Sequence, residues 1–149
     1  MSRDEDDISL RPMLESELDK LPVLWTEAGL PYRPQGRDSM PNLNAQQKAA
    51  PDLFIGAFSE DRLLGAVIAS DDGRKGWINR LAVHPSARNA GIGKGLVQAC
   101  EDALRRRGRE LFAVLIERDN EESMEFFEKI GYKFEEDILY YTKRERESF

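Results

Sequence analysis

Residues 88–94 read Arg88-Asn89-Ala90-Gly91-Ile92-Gly93-Lys94 and form the stretch of this sequence best suited to holding an anion. They follow an apolar, strand-like run at 77–83 and a break at His84-Pro85, and they open a long helical pattern with Ile92, Leu96, Cys100, Ala103 and Leu104 on one face. A strand, a glycine-bearing loop and a helix start together present backbone N–H groups with no intrahelical partner at the positive end of a helix dipole. Such a place suits phosphate. The glycines let a bulky diphosphate approach the backbone, and Arg88 and Lys94 add positive charge. The spacing excludes two common nucleotide loops. A Walker A loop ends in Gly-Lys-Ser/Thr, which is missing, and the dinucleotide fingerprint needs a third glycine where Leu96 stands.

The elements that must position this loop can be read from periodicity and turn chemistry. Residues 8–11 alternate as a strand. Residues 15–28 carry Leu18, Leu21, Leu24 and Trp25 at helical spacing, with Pro22 kinking or splitting that helix. Residues 31–51 hold four prolines and one short helical stretch at 44–49, an irregular excursion of the kind that often serves function. Three apolar runs, 53–58, 62–70 and 77–83, are separated by turn residues and predict an antiparallel meander. In the last of these, strict alternation puts Trp77, Asn79 and Leu81 on one face and Ile78, Arg80 and Ala82 on the other. The helix that opens at the loop stops after Arg105-Arg106-Arg107 at Gly108. A buried strand at 111–116 follows, then a helix capped by Asn120 and ended by Gly131, then a closing strand pair at 132–134 and 138–141. The pattern is one mixed α/β (α+β) domain over residues 1–149 with a central sheet.

Composition narrows the classes further. Charged residues make up 34% of the 149 positions, with 28 acidic against 22 basic side chains and a net charge of −6. An acidic chain is a poor non-specific binder of nucleic acid. One cysteine excludes an internal disulfide and any multi-cysteine metal site, and no metal is expected. The longest apolar-plus-glycine run, 63–69, is far short of a membrane span, and no apolar stretch follows the start as in a secretory signal. A cytoplasmic protein with no membrane partner is the expectation. The acidic head at 4–7 and the charged tail at 143–147 read as solvated ends.

Taken together, Arg88-x-x-Gly91-x-Gly93 after Leu81-Ala82-Val83-His84-Pro85, with Asn120 and Phe126-Phe127-Glu128-Lys129-Ile130-Gly131-Tyr132 downstream, resembles the GNAT superfamily of acyl-CoA-dependent N-acetyltransferases. The resemblance is tightest from 77 to 132 and follows the whole chain in element order. It implies a mostly antiparallel sheet flanked by helices, with a splayed parallel strand pair at the cofactor site. It implies that Arg88, Asn89, Ala90, Gly91, Ile92, Gly93 and Lys94 hold the pyrophosphate of acetyl-CoA. The backbone of Leu81, Ala82 and Val83 would pair with pantetheine, with Asn120 and the Phe126-Phe127 pair, Phe127 above all, beside the cofactor arm. Direct acetyl transfer to an amine in a ternary complex, and a homodimer, are further implications.

The chemistry sets its own requirements. A primary amine with a pKa of about 10.4 is only about one part in a few thousand neutral at pH 7, a cost of about 4–5 kcal/mol before attack. A base must therefore take a proton. The carbonyl oxygen that gains charge needs donors, and the resemblance implies a backbone N–H near Val83. Two features depart from the family's pattern: Phe127 stands where many relatives have a tyrosine acid, and no carboxylate lies on the strand before the loop. The remaining base candidates are Glu117, Glu27, Tyr32 and a water held by Asn79. Trp25, Tyr32 and Trp77 are candidates to line the site of a small-molecule or peptide amine acceptor. Trp25 and Cys100 also fit the core by spacing, and His84 suits the turn. The alternative is a non-catalytic coenzyme A or nucleotide-phosphate binding module.

Overall fold

The structure, a computed structural model, describes residues 7–149, and most of the acidic head read at 4–7 lies outside the described residues. Five strands form one sheet in the order β1-β2-β3-β4-β5: β1 (Ile8–Pro12), β2 (Phe54–Ser59), β3 (Arg62–Asp71), β4 (Gly76–Val83) and β5 (Phe112–Val114). The first four pair antiparallel, and β5 joins β4 in parallel. The expected mostly antiparallel sheet with one parallel pair is therefore the fold, with helices on both faces.

Helix α3 (Ile92–Arg106) covers one face. Its apolar side buries Leu96, Val97, Cys100, Ala103 and Leu104 against Ile55, Ala57, Val67 and Ile78 of the sheet. Close approach is needed at Gly76, where a Cβ would collide with the Leu104 side chain. The other face is covered by α1 (Lys20–Glu27) and α2 (Met40–Ala49), which bury Leu21, Leu24, Trp25 and Leu43 against Phe54, Phe58, Ile68 and Ala82. The helix read at 15–28 is split, a 3-10 turn at Glu15–Glu17 preceding α1, and Pro22 falls in the first turn of α1 where its missing N–H costs nothing. Helix α2 begins earlier than the expected 44–49. Ser39 is its N-cap, its Oγ accepting the Asn42 N–H at 3.3 Å, and Pro41 sits in the first turn.

Two strand expectations are corrected. In β4, Ile78 pairs with Ala69 and Arg80 with Ile68, so Asn79 is an extra residue opposite no partner, a β-bulge. The bulge reverses the alternation. Ile78 shares the α3 face with Leu81 and Val83, whereas Arg80 and Ala82 turn toward α1 and α2. The strand read as 111–116 is only three residues long and half-buried, and the closing pair at 132–134 and 138–141 joins no ladder among the described residues. The two outcomes go together: among the described residues no sixth strand pairs with the outer edge of β5. A final helix, α4 (Glu121–Lys129), packs Phe127 into the α3 core.

Candidate functional site

The site begins where β4 and β5 part. Their three register pairs are Gly76 with Phe112, Trp77 with Ala113 and Ile78 with Val114, and β4 then runs on to Val83 alone on that side. A parallel ladder left open in this way exposes N–H and C=O groups able to pair with an extended amide ligand. The His84 N–H bonds to Leu64 of β3 at 2.7 Å. Alternation then aims the N–H groups of Val83 and Leu81 at the open side. The splay expected from the resemblance is therefore a gap bounded by residues 79–83 and the chain beyond Val114.

Next to the gap lies the start of α3. Gly95 makes the first helical bond, to the Gly91 carbonyl at 3.0 Å, which leaves the N–H groups of Ile92, Gly93 and Lys94 ahead of the ladder. Asn89 (φ 72°) and Gly91 (φ 79°) are both left-handed, with Ala90 between them. Such turns gather successive N–H groups into an anion-binding concavity. No side chain caps Gly91 among the described residues, and space around its Cβ position is open, so nothing there competes with a ligand. Lys94 is exposed on the first turn. Arg88 bends away from the loop, its Nε donating to the Val83 carbonyl and its Nη2 to the Ala28 carbonyl, both at 3.3 Å.

On the far wall, Asn120 is the N-cap of α4, its Oδ1 accepting the Ser123 N–H at 3.1 Å. The two adjacent phenylalanines divide their work. Phe127 is buried, edge-to-face with Phe126 at 5.0 Å and with Tyr132 at 5.2 Å. Phe126 is the half-buried ring that reaches the first turn of α3, 3.5 Å from the Cβ position of Gly93. Of the aromatic pair that the resemblance sets against the cofactor arm, Phe126 is thus the ring at the α3 start and Phe127 the ring in the core. The helical phase of Gly93 and Phe126 on neighbouring helices becomes visible only once they pack.

The acceptor candidates fall in three places. Trp25 and Tyr32 come together, ring centres 5.5 Å apart, and the Arg80 guanidinium lies 4.5 Å over Trp25 while donating to the Pro31 carbonyl at 2.7 Å. Trp25 is fully buried and supports this cluster from beneath. Burial holds the Arg80 pKa below its ordinary value, an effect that nearby Asp38 only partly offsets. Trp77 stands apart at the β3–β4 turn, its indole N–H on Asp72 at 3.1 Å. Asn79 donates to the Ser70 hydroxyl at 3.0 Å, and Glu117 is exposed beyond β5.

Glu27, at the end of α1, meets His84 at the end of β4, with Oε1 3.1 Å from Nε2. Nδ1 of His84 accepts the Ser86 N–H at 3.1 Å, which leaves the ring proton on Nε2, facing the carboxylate. His84 thus braces the turn, as the sequence suggested, and fixes Glu27. Cys100 is completely buried, and burial pushes its thiol up to about 12, so it stays an unreactive core residue. Among the described residues no group of acidic, histidine or cysteine side chains is placed to hold a metal, and no helix is long and apolar enough to cross a membrane.

A sheet split beside an uncapped, glycine-led helix start offers a row of unpaired backbone N–H and C=O groups next to free helix N–H groups. The model of the acetyltransferase (GNAT) family matches residues 12–132, and the chain belongs to that family of N-acetyltransferases. Acetyltransferase SG1711 of Sodalis glossinidius (strain morsitans) is 27% identical over 137 residues, 92% of this chain and 95% of the relative. The PaiA N-acetyltransferase of Thermoplasma acidophilum, solved in complex with coenzyme A, superposes with a TM-score of 0.74 at 24% identity, over 91% of this chain and 92% of that one. AAC(6')-Iy, solved with a bisubstrate analogue, CoA-S-monomethyl-acetylneamine, gives a TM-score of 0.76 at 20% identity, over 92% and 98% of the two chains.

Proposed function

We propose that this chain is an acetyl-CoA-dependent N-acetyltransferase that moves an acetyl group to a primary amine by direct transfer in a ternary complex. The observation that carries the reading is the unpaired β4 stretch, 79–83, opening beside the free N–H groups of the α3 first turn. The residues fit the cofactor. Ile92, Gly93 and Lys94 would take the pyrophosphate on backbone N–H groups, with Asn89, Ala90 and Gly91 shaping the loop and Lys94 adding charge. Arg88, held by two neutral carbonyls, keeps its positive charge to offer. Leu81, Ala82 and Val83 would pair with pantetheine along the open edge, with Asn120 and Phe127, joined by Phe126, behind it.

Acetyl-CoA supplies the activated acyl thioester. The protein's part is to orient that group, to set the Val83 N–H where carbonyl charge develops, and to accept the amine proton. Glu117, Glu27, Tyr32 and a water held by Asn79 are the candidates for proton removal, and Glu27 is the one whose carboxylate is fixed, by His84. The acceptor is a small-molecule or peptide amine, approaching from the side of Trp25, Tyr32 and Trp77. AAC(6')-Iy, which binds a bisubstrate analogue built on such an amine, lends support. A single domain over 1–149, a cytoplasmic location, a homodimer and no partnership with nucleic acid, membrane or metal complete the reading, in keeping with the net charge of −6.

The test has two parts. Coenzyme A at about 100 times its Kd should stabilise the fold by about 2.7 kcal/mol, and no stabilisation at millimolar concentration would overturn the cofactor assignment. Thiol release from acetyl-CoA, read across polyamines, amino acids, peptides and aminoglycosides, should exceed the enzyme-free rate for at least one amine. Binding of coenzyme A without release for every amine would favour the binding-module alternative, to which Phe127 in place of a tyrosine acid points.

A further inference from the structure

The bulge at Asn79 aims Arg80 at the face of the sheet where Trp25 and Tyr32 stand, and there the guanidinium is only partly provided for. Its Nη2 donates to the Pro31 carbonyl at 2.7 Å, and its central carbon lies 4.5 Å from the centre of the Trp25 ring. Nε is shut off from water with no partner, and Nη1 makes no hydrogen bond among the described residues. Arg11, Arg107 and Arg109 are half-buried too, and each meets a carboxylate at 2.7–2.9 Å. Arg80 forms no ion pair among the described residues. Asp38 supports its charge from beyond that distance, with Oδ2 already taken by the Arg33 N–H at 2.7 Å, while Arg37 opposes it. A cation drawn out of water without a counter-charge is costly, and an aromatic face offsets part of that cost. Pinning the excursion at Pro31 needs one donor and no charge. The bond to Pro31 is exposed, so the outer edge of the guanidinium opens toward the side from which the acceptor approaches.

We propose that Arg80 anchors the acceptor: the amine that this protein acetylates carries a carboxylate several bonds away from its amino group, and Arg80 grips that carboxylate through its outer Nη edge. Guanidinium and carboxylate match as a planar, charge-assisted pair, which a hydroxyl or a second amine does not replace. The spacing follows from the strand. β4 advances about 3.3 Å per residue, so Arg80 stands about 10 Å before Val83. A free α-amino acid, with its amino and acid groups on one carbon, does not reach from one to the other. A side-chain amine such as that of lysine, or the amino end of a short peptide, does. This role for Arg80 rests on the acetyl-transfer reading, which puts the reacting carbonyl at the Val83 N–H. It makes the acceptor side locally positive in a chain whose net charge is −6, and so selects an acceptor that the overall charge would not.

Matched pairs of amines test it. With acetyl-CoA saturating, thiol release should favour ε-aminocaproate over its amide, and Nα-acetyl-lysine over its amide, by at least about tenfold in kcat/KM. In Arg80→Gln that preference should vanish through a raised KM for the acids, with the rates for the amides and the KM for acetyl-CoA unmoved, and Arg80→Lys should keep part of it. Amides that serve as well as acids in the wild-type protein overturn this role, as does release confined to polyamines and aminoglycosides. An Arg80→Gln variant that slows acids and amides alike also overturns it and leaves Arg80 as a pin for the excursion. Should that variant fail to fold, the acid and amide pairs on the wild-type chain decide alone. If coenzyme A stabilises the fold but no amine releases thiol, the acetyl-transfer reading fails by itself. Arg80 is then judged by binding: with coenzyme A present, millimolar ε-aminocaproate should raise the unfolding temperature of the wild-type chain and its amide should not, and an equal or absent shift overturns the assignment.

Discussion

Ile78 of β4 and Val114 of β5 form the last register pair between these strands, and the residue after Ile78 is the bulged Asn79. The end of pairing and the bulge therefore coincide. The bulge turns Arg80 toward α1 at the point where the other edge of β4 becomes free, so one extra residue lies between the proposed acceptor side and the proposed cofactor side. Deleting Asn79 should restore strict alternation with Ile78, Leu81 and Val83 still on the α3 face, and remove the local bend at the point where β4 leaves β5. The expected result is a fold that holds in thermal unfolding, with coenzyme A binding weakened in calorimetry.

Gly93→Asp separates the roles of the α3 start. An aspartate in the first turn of a helix is favourable by about 0.3–1 kcal/mol, so the fold should hold. The same charge repels a pyrophosphate, and affinity for coenzyme A should fall at least about tenfold, or 1.4 kcal/mol. Gly91→Ala acts through the backbone alone, because a left-handed φ of 79° costs a side chain about 1–2 kcal/mol while the space around it is open. Thermal unfolding and calorimetry on both variants check the contrast.

The two phenylalanines should part in the same way. Phe127→Ala empties a buried, ring-packed position and should cost about 3–5 kcal/mol in denaturant unfolding. Phe126→Ala removes a half-buried ring beside Gly93 and should raise the KM for acetyl-CoA with a smaller loss of stability.

Acid should loosen the fold through paired carboxylates. Arg11 grips Glu17 with two hydrogen bonds, at 3.0 and 2.7 Å, and holds its pKa down to about 2. Arg107 lowers Asp52, and the Gly73 N–H, with Arg109 and Arg107, lowers Asp71. Each group titrates lower folded than unfolded, so its contribution is complete above the unfolded value of about 4 and is lost as pH falls toward 2. The unfolding temperature should decline from about pH 5 to about pH 2. In Glu17→Gln that decline should be shallower.

Much of this was legible in the sequence because it is local. The meander follows from turn residues between apolar runs, and the α3 start follows from Gly91 and Gly93 after a strand break. Asn120 declared its helix by residue type, and Pro22 signalled that 15–28 would not be one continuous helix, although the break falls before Lys20 and Pro22 sits in the first turn of α1. The bulge at Asn79 was not legible, since it depends on the register against β3 and no glycine marks it. Nor was the division between Phe126 and Phe127, which depends on how α4 rolls against α3. The start of α2 had a signal, Ser39 before Met40-Pro41, that the surrounding prolines masked. The strand pair at 132–141 has strand-like residues and no partner among the described residues of the chain, and residue type alone does not supply one.

The central claim, that coenzyme A lies along the open edge of β4 with its pyrophosphate on the start of α3, is tested most directly by amide hydrogen exchange with and without saturating coenzyme A. The account predicts slowed exchange at Leu81, Val83, Ile92, Gly93 and Lys94, with the amides of α2 unchanged. Unchanged exchange at 79–83 and 91–94 in a protein that nonetheless binds coenzyme A would contradict it.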